Sequence, residues 1–294
     1  MSQPQAISLP GGRFAYLEAG PADGPVVICL HGFPDHAPTF SHLIQRLGAR
    51  GYRAVAPWLR GFFPSELVGP YHVNRLAADL LELGHALSPT RPVALVGHDW
   101  GAIACYVAAA TVPHRVSAAV TLAVPHPFSF LQNPLRLGSQ PFRSWYMAFF
   151  LTPLLPELAL LARHGQLVDY LWHSWSPGWS APPSHLDDVK ECLAQSMPAP
   201  IEYYRAVVRP LSEAIARYRA LGCTANRVTV PTLHLHGAAD RCILAGTSRG
   251  EERFFAGPFE RKLLPGVGHF VHLEAPDLAA DLMLAWLHAH ASRP

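Results

Sequence analysis

The residue whose surroundings point most directly to chemistry is an aspartate, Asp99. It stands in the stretch Gly97–Gly101, which has the sequence GHDWG. The apolar residues of 91–96 predict a short buried strand before it, and the small residues of 102–108 predict a helix packed on a sheet after it. The flanking glycines allow a sharp turn from strand to helix. Such a turn would raise the Asp99 carboxylate to the edge of a sheet, beside the first helical N–H groups.

A carboxylate in this position does different chemistry from the serine that usually occupies a strand–turn–helix elbow. A carboxylate that attacks an acyl group would form an anhydride, which is a poor intermediate for ester or amide turnover. A carboxylate that attacks a saturated carbon forms an alkyl ester, provided that the carbon carries a strained or good leaving group. Epoxides and alkyl halides meet this condition. The alternative is that Asp99 only caps the helix, and this stretch alone does not decide between the two.

The composition indicates a globular protein and argues against several classes of partner. The chain has 294 residues, of which 50% are hydrophobic, and this suits one large α/β domain with an inserted subdomain. A net charge of +2 with 15% charged residues gives no electrostatic basis for binding nucleic acid. Residues 1–5 contain no secretion signal pattern, and the five cysteines form no CxxC pair. We therefore expect a cytoplasmic protein with reduced thiols.

Strand-like and helix-like segments alternate over most of the chain. This alternation predicts an α/β fold with a mostly parallel sheet and helices on both faces. Apolar patterns predict strands over 12–18, 26–30, 52–56, 91–96, 116–122, 228–235 and 260–264, and helices over 39–50, 73–87, 102–108 and 275–290.

The middle third of the chain departs from this alternation. Residues 128–226 are rich in Trp, Tyr, Phe and Pro, and they show helical pieces but no clear strand. We therefore predict a helical cap over 128–226, inserted into a core domain formed by 1–127 and 227–294.

The most apolar part of the predicted cap is Tyr146–Leu161. It contains Pro153, Pro156 and Glu157, and it is shorter than the run of about 20 apolar residues that spans a bilayer. We interpret it as a pair of lid helices that face an apolar cavity, with peripheral contact to a membrane surface as the alternative.

Two further residues follow predicted strands, as a catalytic set would require. Asp240 comes shortly after the strand predicted to end at residue 235, and His269 comes shortly after the last strand. Both would then lie at the carboxyl edge of the sheet, where open α/β sheets bind ligands. The chain order of nucleophile, acid and histidine is the one expected for this architecture. The loop after the strand at 26–30 can aim the Phe33 N–H at the same oxygen as the Trp100 N–H, which would form an oxyanion hole.

These residues together give the chain a clear resemblance to a known family. It resembles the α/β-hydrolase family, specifically the epoxide hydrolase branch, from about residue 11 to residue 290. The resemblance implies a mostly parallel eight-stranded sheet with a helical cap inserted after the sixth strand. The motifs that carry it are His31–Asp35 (HGFPD), Gly97–Gly101 (GHDWG), Val124–Pro127 (VPHP), Asp240 and Gly268-His269.

The resemblance also implies that two cap tyrosines, Tyr146 and Tyr204, hold the epoxide oxygen. Opening of the ring develops alkoxide charge, so a proton donor is needed opposite the attacking carboxylate, and a phenol with a pKa of about 10 stays protonated at neutral pH. Tyr203 is the rival to Tyr204, because a slip of one residue would turn the other ring inward. The alternative for both tyrosines is packing within the lid.

The expected reaction is hydrolysis of an epoxide to a vicinal diol in two steps. Asp99 would form a covalent ester, and His269, oriented by Asp240, would activate the water that cleaves it. We expect no cofactor and no metal, since the His234 and His236 pair has no third ligand in view. Small apolar or aromatic epoxides and water are the expected partners of a monomer or homodimer. The candidate substrate contacts are Phe33, Trp100, Trp145, Phe149, Tyr203 and Phe270.

Departures from the family pattern affect the pocket and leave alternatives open. Trp58 stands where relatives usually have an aspartate, and Phe62-Phe63 stands where they have Tyr-Gly. Residues 36–39 replace aromatic residues, and these changes leave the substrate open. The first alternative is a haloalkane or haloacid dehalogenase with the same nucleophile, although Phe33 supplies no side-chain donor for a halide. The second is a non-catalytic ligand-binding member of the family.

Overall fold

The computed structural model describes residues 3–132, 138–213, 215–216 and 228–291. Eight strands of this part form one sheet in the order β1-β2-β4-β3-β5-β6-β7-β8. β1 and β2 pair antiparallel, as do β2 and β4, and the other neighbours pair parallel. The strands are β1 Gln5–Leu9, β2 Gly12–Ala19, β3 Val26–Leu30, β4 Arg53–Pro57, β5 Val93–His98, β6 Val116–Leu122, β7 Thr232–Gly237 and β8 Phe259–Leu264.

Helices cover both faces of the sheet, as the alternating pattern predicts. The core helices are α1 Ser41–Gly48, α2 Val73–Leu87, α3 Trp100–Thr111, α11 Val271–Glu274 and α12 Pro276–His290. Helix α2 packs against α3, and α1 packs against α12. The mostly parallel α/β-hydrolase fold is therefore confirmed. The central strands β3 and β5 are buried along their whole length, because helices shield them on both sides.

In the described part of the chain, seven further α-helices with defined bounds lie between β6 and β7. They are α4 Pro127–Gln132, α5 Gln140–Arg143, α6 Trp145–Phe150, α7 Leu155–Leu161, α8 Gln166–Trp175, α9 Pro183–Ser196 and α10 Ala199–Val208. We refer to the segment with these helices as the cap. The cap boundaries at 127/128 and 226/227 stay predictions, and the second of them falls outside the described residues.

Several predicted segments differ from the structure in their extent. The strand predicted over 228–235 begins at Thr232, because Pro231 lacks the N–H that a ladder requires, and Val228 forms only an isolated bridge with Phe255. The edge strand β1 was not predicted, since its residues are mostly exposed and give no apolar alternation. Among the described residues, none of the helices combines the length and apolar character that a membrane crossing requires.

The predicted lid pair over 146–161 forms two helices, α6 and α7, but only α6 faces a cavity. On α7, Leu155, Leu158 and Leu161 are 60%, 65% and 44% exposed. The prediction that both helices face inward is therefore wrong for α7. The prolines explain the break, because Pro153 lies between the two helices and Pro156 stands in the first turn of α7, where a proline starts a new helix.

Candidate active site

Asp99 lies at a sharp turn between β5 and α3. Its backbone has φ 52° and ψ −117°, an unusual conformation for a residue with a side chain. The neighbouring glycines make the turn possible, because a Cβ on Gly97 would lie 2.3 Å from the Gly101 carbonyl oxygen, and one on Gly101 would lie 2.3 Å from the Leu30 oxygen. The turn therefore projects the carboxylate from the carboxyl end of the sheet, with the start of α3 directly behind it.

Backbone N–H groups hold this carboxylate. The Phe33 N–H donates to Asp99 Oδ1 at 2.9 Å, and the Trp100 N–H also donates to the carboxylate. A Cβ on Gly32 would lie 2.4 Å from Asp99 Oδ1, so glycine is needed for this close approach. The two N–H groups that were predicted to form an oxyanion hole thus converge on Asp99. The second oxygen, Oδ2, is the one nearer the histidine.

His269 and Asp240 lie beside the nucleophile. The Nδ1 atom of His269 is 2.9 Å from Asp240 Oδ2, and its Nε2 atom is 3.9 Å from Asp99 Oδ2. The other oxygen of Asp240 accepts the N–H groups of Cys242 and Ile243 at 2.7 and 2.9 Å. One oxygen of Asp240 therefore holds the imidazole, while N–H groups of the loop that follows Asp240 hold its other oxygen in place.

One support of this arrangement comes from the cap and was missed in the sequence. The His269 backbone N–H donates to the Ser176 hydroxyl at 2.9 Å, and that hydroxyl donates to Glu274 at 2.5 Å. Ser176 directly follows α8 and is fully buried. No motif marks it, because a serine after a helix is an ordinary feature of sequences.

Burial and close partners set the charge states of the three groups. Burial raises the pKa of Asp99, although His269 and the N–H groups of Phe33 and Trp100 oppose this effect. Burial would also raise the pKa of Asp240, but His269 and His236 outweigh it, so that pKa is lowered. Burial disfavours the His269 imidazolium, yet the Cys242 sulfur and the Asp240 carboxylate raise the pKa of His269 well above its usual value.

The two predicted tyrosines line the same cavity as Asp99. Their ring centroids are 5.9 Å apart, and the Tyr204 ring lies edge-on to Trp100 at 5.1 Å. The Tyr146 hydroxyl contacts the Cys242 sulfur at 3.2 Å. Burial raises the pKa of both phenols well above 10, so both remain protonated donors at neutral pH.

The neighbouring tyrosine, Tyr203, points elsewhere. Its hydroxyl donates to the carbonyl of Arg60, and Tyr203 does not line the cavity. Arg60 is itself held by two hydrogen bonds to Asp79 at 2.7 and 2.6 Å. The structure therefore does not place Tyr203 as a substrate contact, and helix α10 presents Tyr204 to the cavity instead.

The cavity between sheet and cap has a volume of about 460 Å³. Among the described residues, its polar lining beside Asp99 and the two tyrosines consists of His72 and Ser144, with the amphipathic Trp100 next to the nucleophile. Such a lining favours an apolar ligand with one reactive polar centre. Aliphatic side chains cover most of the remaining wall: Val73, Ile103, Val107, Val124, Met147, Leu151, Val207, Val208 and Ile243.

Of the predicted substrate contacts, Trp100 lines the cavity, whereas the side chains of Phe33, Trp145, Phe149 and Phe270 do not. Phe33 packs edge-on against Phe150 and Tyr204. Trp145 is 41% exposed, and its ring lies tilted against that of Phe149 with the ring centroids 6.0 Å apart. Phe270 stacks on Trp172 with ring centroids 3.6 Å apart. These four predictions are corrected, because each ring finds an aromatic partner within the protein.

Three further histidines noted in the sequence, His31, His234 and His236, make structural contacts. His31 Nε2 accepts the Leu59 N–H at 3.1 Å, and burial lowers the pKa of His31 to about 4. His234 Nε2 lies 3.1 Å from His236 Nδ1, and His236 Nε2 lies 2.8 Å from the Ile243 carbonyl. These contacts account for the HxH pair as a buried hydrogen-bonded chain.

Comparison with known proteins agrees with this architecture. The model of the alpha/beta hydrolase family matches residues 27–282. Epoxide hydrolase 3 of Xenopus tropicalis is 30% identical over 274 residues, which cover 90% of this chain and 72% of that protein. Epoxide hydrolase 4 of Mus musculus is 27% identical, with 96% of this chain and 78% of that protein covered.

Solved structures show the same fold over almost the whole chain. The crystal structure of an epoxide hydrolase from Vigna radiata superposes with a TM-score of 0.79 at 25% identity and covers 98% of each chain. The chain belongs to the α/β-hydrolase family. Within that family it belongs to the epoxide hydrolase branch.

Proposed function

We propose that this protein hydrolyses epoxides to vicinal diols through an alkyl ester of Asp99. The observation that carries the proposal is the placement of three kinds of group around one apolar cavity. A carboxylate at a strained turn faces it, two protonated phenols line it, and a histidine–aspartate pair lies beside the carboxylate.

In the first step, Asp99 Oδ2 attacks a ring carbon of the epoxide and the carbon–oxygen bond breaks. The Phe33 N–H holds Oδ1, which leaves Oδ2 as the attacking oxygen. Tyr146 and Tyr204 donate hydrogen bonds to the departing oxygen, and one of them transfers its proton to it. The phenols suit this role because they stay neutral until alkoxide charge develops.

In the second step, His269 Nε2 takes a proton from water, and the water oxygen adds to the carbonyl carbon of the ester. The Phe33 and Trp100 N–H groups bind the resulting oxyanion. Collapse of the intermediate breaks the bond between the Asp99 carbon and the alkyl oxygen and releases the diol, and the protons return to the phenolate and the product. Nε2 has no hydrogen-bond partner among the described residues, which suits an acceptor for the water proton.

The covalent intermediate provides the test. His269→Gln should permit the first step and prevent the second, so incubation with a reactive epoxide should add one substrate mass to the peptide that contains Asp99. Asp99→Ala should give neither adduct nor diol. Mass spectrometry of the digested protein measures the adduct, and its absence with several reactive epoxides would contradict the proposal.

The same samples separate the alternatives. Halide release from haloalkanes, assayed beside diol formation, would instead indicate a dehalogenase. A ligand-binding protein without activity would turn over none of these compounds. The two phenols beside Asp99 favour the epoxide, because they can protonate an alkoxide that a halide does not form.

The finer predictions concern substrate and compartment. The aliphatic lining of the cavity supports a small apolar epoxide, and it favours an aliphatic over an aromatic one. The four described cysteines, Cys29, Cys105, Cys192 and Cys242, are free and buried, which supports a reducing compartment such as the cytoplasm. A monomer or homodimer stays a prediction.

A further inference from the structure

A second cluster of titratable side chains surrounds Asp35, and none of its members lines the cavity. Asp35 and His36 lie in the loop after β3, and His185 comes from helix α9 of the cap. Asp35 is 1% exposed and His36 is 4% exposed. On the other side of the carboxylate lie two more buried histidines, His98 and His272.

Two imidazole nitrogens of this cluster face the same oxygen of Asp35, Oδ1. Within the described residues, Asp35 Oδ2, His36 Nδ1 and His185 Nε2 are buried without a hydrogen-bond partner. Asp35 Oδ1 accepts the His36 backbone N–H at 2.8 Å, so the loop fixes the carboxylate. Buried polar atoms are nearly always satisfied, so two orphaned imidazole nitrogens that face one carboxylate oxygen indicate a ligand shared by the three side chains.

We propose that Asp35, His36 and His185 form a binding site for a divalent transition-metal ion of the Zn²⁺ type. His36 Nδ1 lies 3.6 Å and His185 Nε2 lies 3.4 Å from Asp35 Oδ1. These separations are long for hydrogen bonds. They match the spacing of about 3.3 Å between tetrahedral ligands that bind zinc at about 2.0 Å.

The donor set also suits such an ion. Two imidazoles and one carboxylate are typical ligands of Zn²⁺ and its neighbours, with the fourth position left to water. All three ligand atoms lie within 4.8 Å of one another. The His185 side chain is 15% exposed, so an ion can reach the site from the solvent side, while the Asp35 side chain is fully buried.

The other triplet, Asp35 with His98 and His272, fits a metal less well. His272 Nε2 is 4.0 Å from Asp35 Oδ2 and already lies 2.7 Å from the Thr39 hydroxyl. His98 Nε2 contacts the His269 carbonyl at 3.1 Å. Both rings are fully enclosed in the core, so neither can turn toward an ion without losing an existing contact.

A metal at the proposed site would join the cap to the core. The Trp172 indole N–H donates to the Pro34 carbonyl at 2.8 Å, and the Trp172 ring lies edge-on to His185 at 5.3 Å. The cap histidine is therefore held near the loop before any ion binds. Binding would link α9 to the loop that carries the Phe33 N–H, and it should stabilise the folded protein against heat.

The full-length protein, freed of metals with EDTA, provides the test. Calorimetric titration with Zn²⁺ should show one ion per chain, and Co²⁺ should give the visible absorption of a tetrahedral complex. His185→Ala and His36→Gln should each weaken Zn²⁺ binding at least tenfold and abolish the Co²⁺ spectrum. His173→Ala, an exposed cap histidine on α8, is the matched control and should bind as wild type does.

Thermal unfolding gives a second measurement that needs no substrate and is independent of the proposed activity. Zn²⁺ should raise the Tm of wild type and of His173→Ala but not that of His185→Ala. The Tm of His185→Ala without metal shows whether that variant folds. Three results would overturn the proposal: no binding by wild type at millimolar Zn²⁺, equal binding by all variants, or loss of binding in His272→Ala alone.

Discussion

The core and the cap contribute to the candidate active site in different ways. The core holds its charged groups through backbone contacts: N–H groups of Phe33 and Trp100 bind Asp99, and N–H groups of Cys242 and Ile243 bind Asp240. The cap supplies Tyr146 and Tyr204 through ring packing among aromatic neighbours. The positions of the charged groups therefore depend on rigid backbone turns of the core, whereas the positions of the two phenols depend on how the cap helices pack.

The largest expected effect tests the role of Asp240, which backbone N–H groups of the core hold in place. In Asp240→Asn, the amide oxygen can still accept the hydrogen bonds from the Cys242 and Ile243 N–H groups. The amide NH₂ would then face His269 Nδ1. The imidazole would then carry its proton on Nε2 and could not accept one from water. We expect diol formation to fall on the order of 10⁴-fold, measured as kcat in steady-state assays. A loss below tenfold would contradict the role of Asp240.

The pH dependence of the wild-type rate tests the role of His269 as the base. Hydrolysis of the ester needs neutral His269, whose pKa is raised, so the rate should fall as the pH drops through that raised pKa, above 6.5. Single-turnover release of diol over a pH series measures this limb. A rate that stays constant down to pH 5 would contradict the assignment of His269 as the base.

The next effect separates two neighbouring tyrosines of α10. Tyr204→Phe should lower kcat about 10²-fold, because one proton donor to the epoxide oxygen is lost, while Tyr146 remains. Tyr203→Phe is the matched control, with the same chemical change one residue away. It should keep kcat and lose about 1 kcal/mol of unfolding free energy, since the Arg60 carbonyl loses its donor. The reverse outcome would exchange the two roles.

A buried acid outside the site tests stability instead of activity. Burial raises the pKa of Glu251 to about 8 from 4.5. Between these values the native protein keeps a proton that the unfolded chain releases, so the free energy of unfolding should fall by up to about 1.4 kcal/mol per pH unit. Glu251→Gln cannot ionise and should flatten this slope, as measured by urea unfolding from pH 5 to 8. Equal slopes would contradict the assignment.

The smallest effect concerns the join between cap and core. Cys242→Ala removes the sulfur that contacts the Tyr146 hydroxyl at 3.2 Å and should lower kcat by less than tenfold, because the phenol keeps its position by packing. Cys242→Ser, which retains a polar partner, should lower kcat less. A larger loss in either variant would show that the sulfur orients the proton donor.

The site residues that the core contributes were largely predictable from sequence. Asp99, Asp240 and His269 each follow a strand, and apolar runs mark those strands. The cap side was less predictable, because the direction of each ring depends on how a helix lies over the sheet. Phe270 and Trp145 look like pocket residues in sequence, yet each ring packs within the protein. The walls are aliphatic, and residues such as Ile103 and Val107 cannot be distinguished from ordinary core residues.

The Ser176 hydroxyl, which receives the His269 N–H, has a consequence for engineering. Exchange of caps between relatives is a natural route to new selectivity. Here, however, the cap provides the hydroxyl that accepts a hydrogen bond from the backbone of His269, the proposed base. A transplanted lid without a hydroxyl at this point would leave the His269 N–H and the Glu274 carboxylate without their shared partner. Chimeras should therefore place their junctions so that Ser176 stays with the parent scaffold.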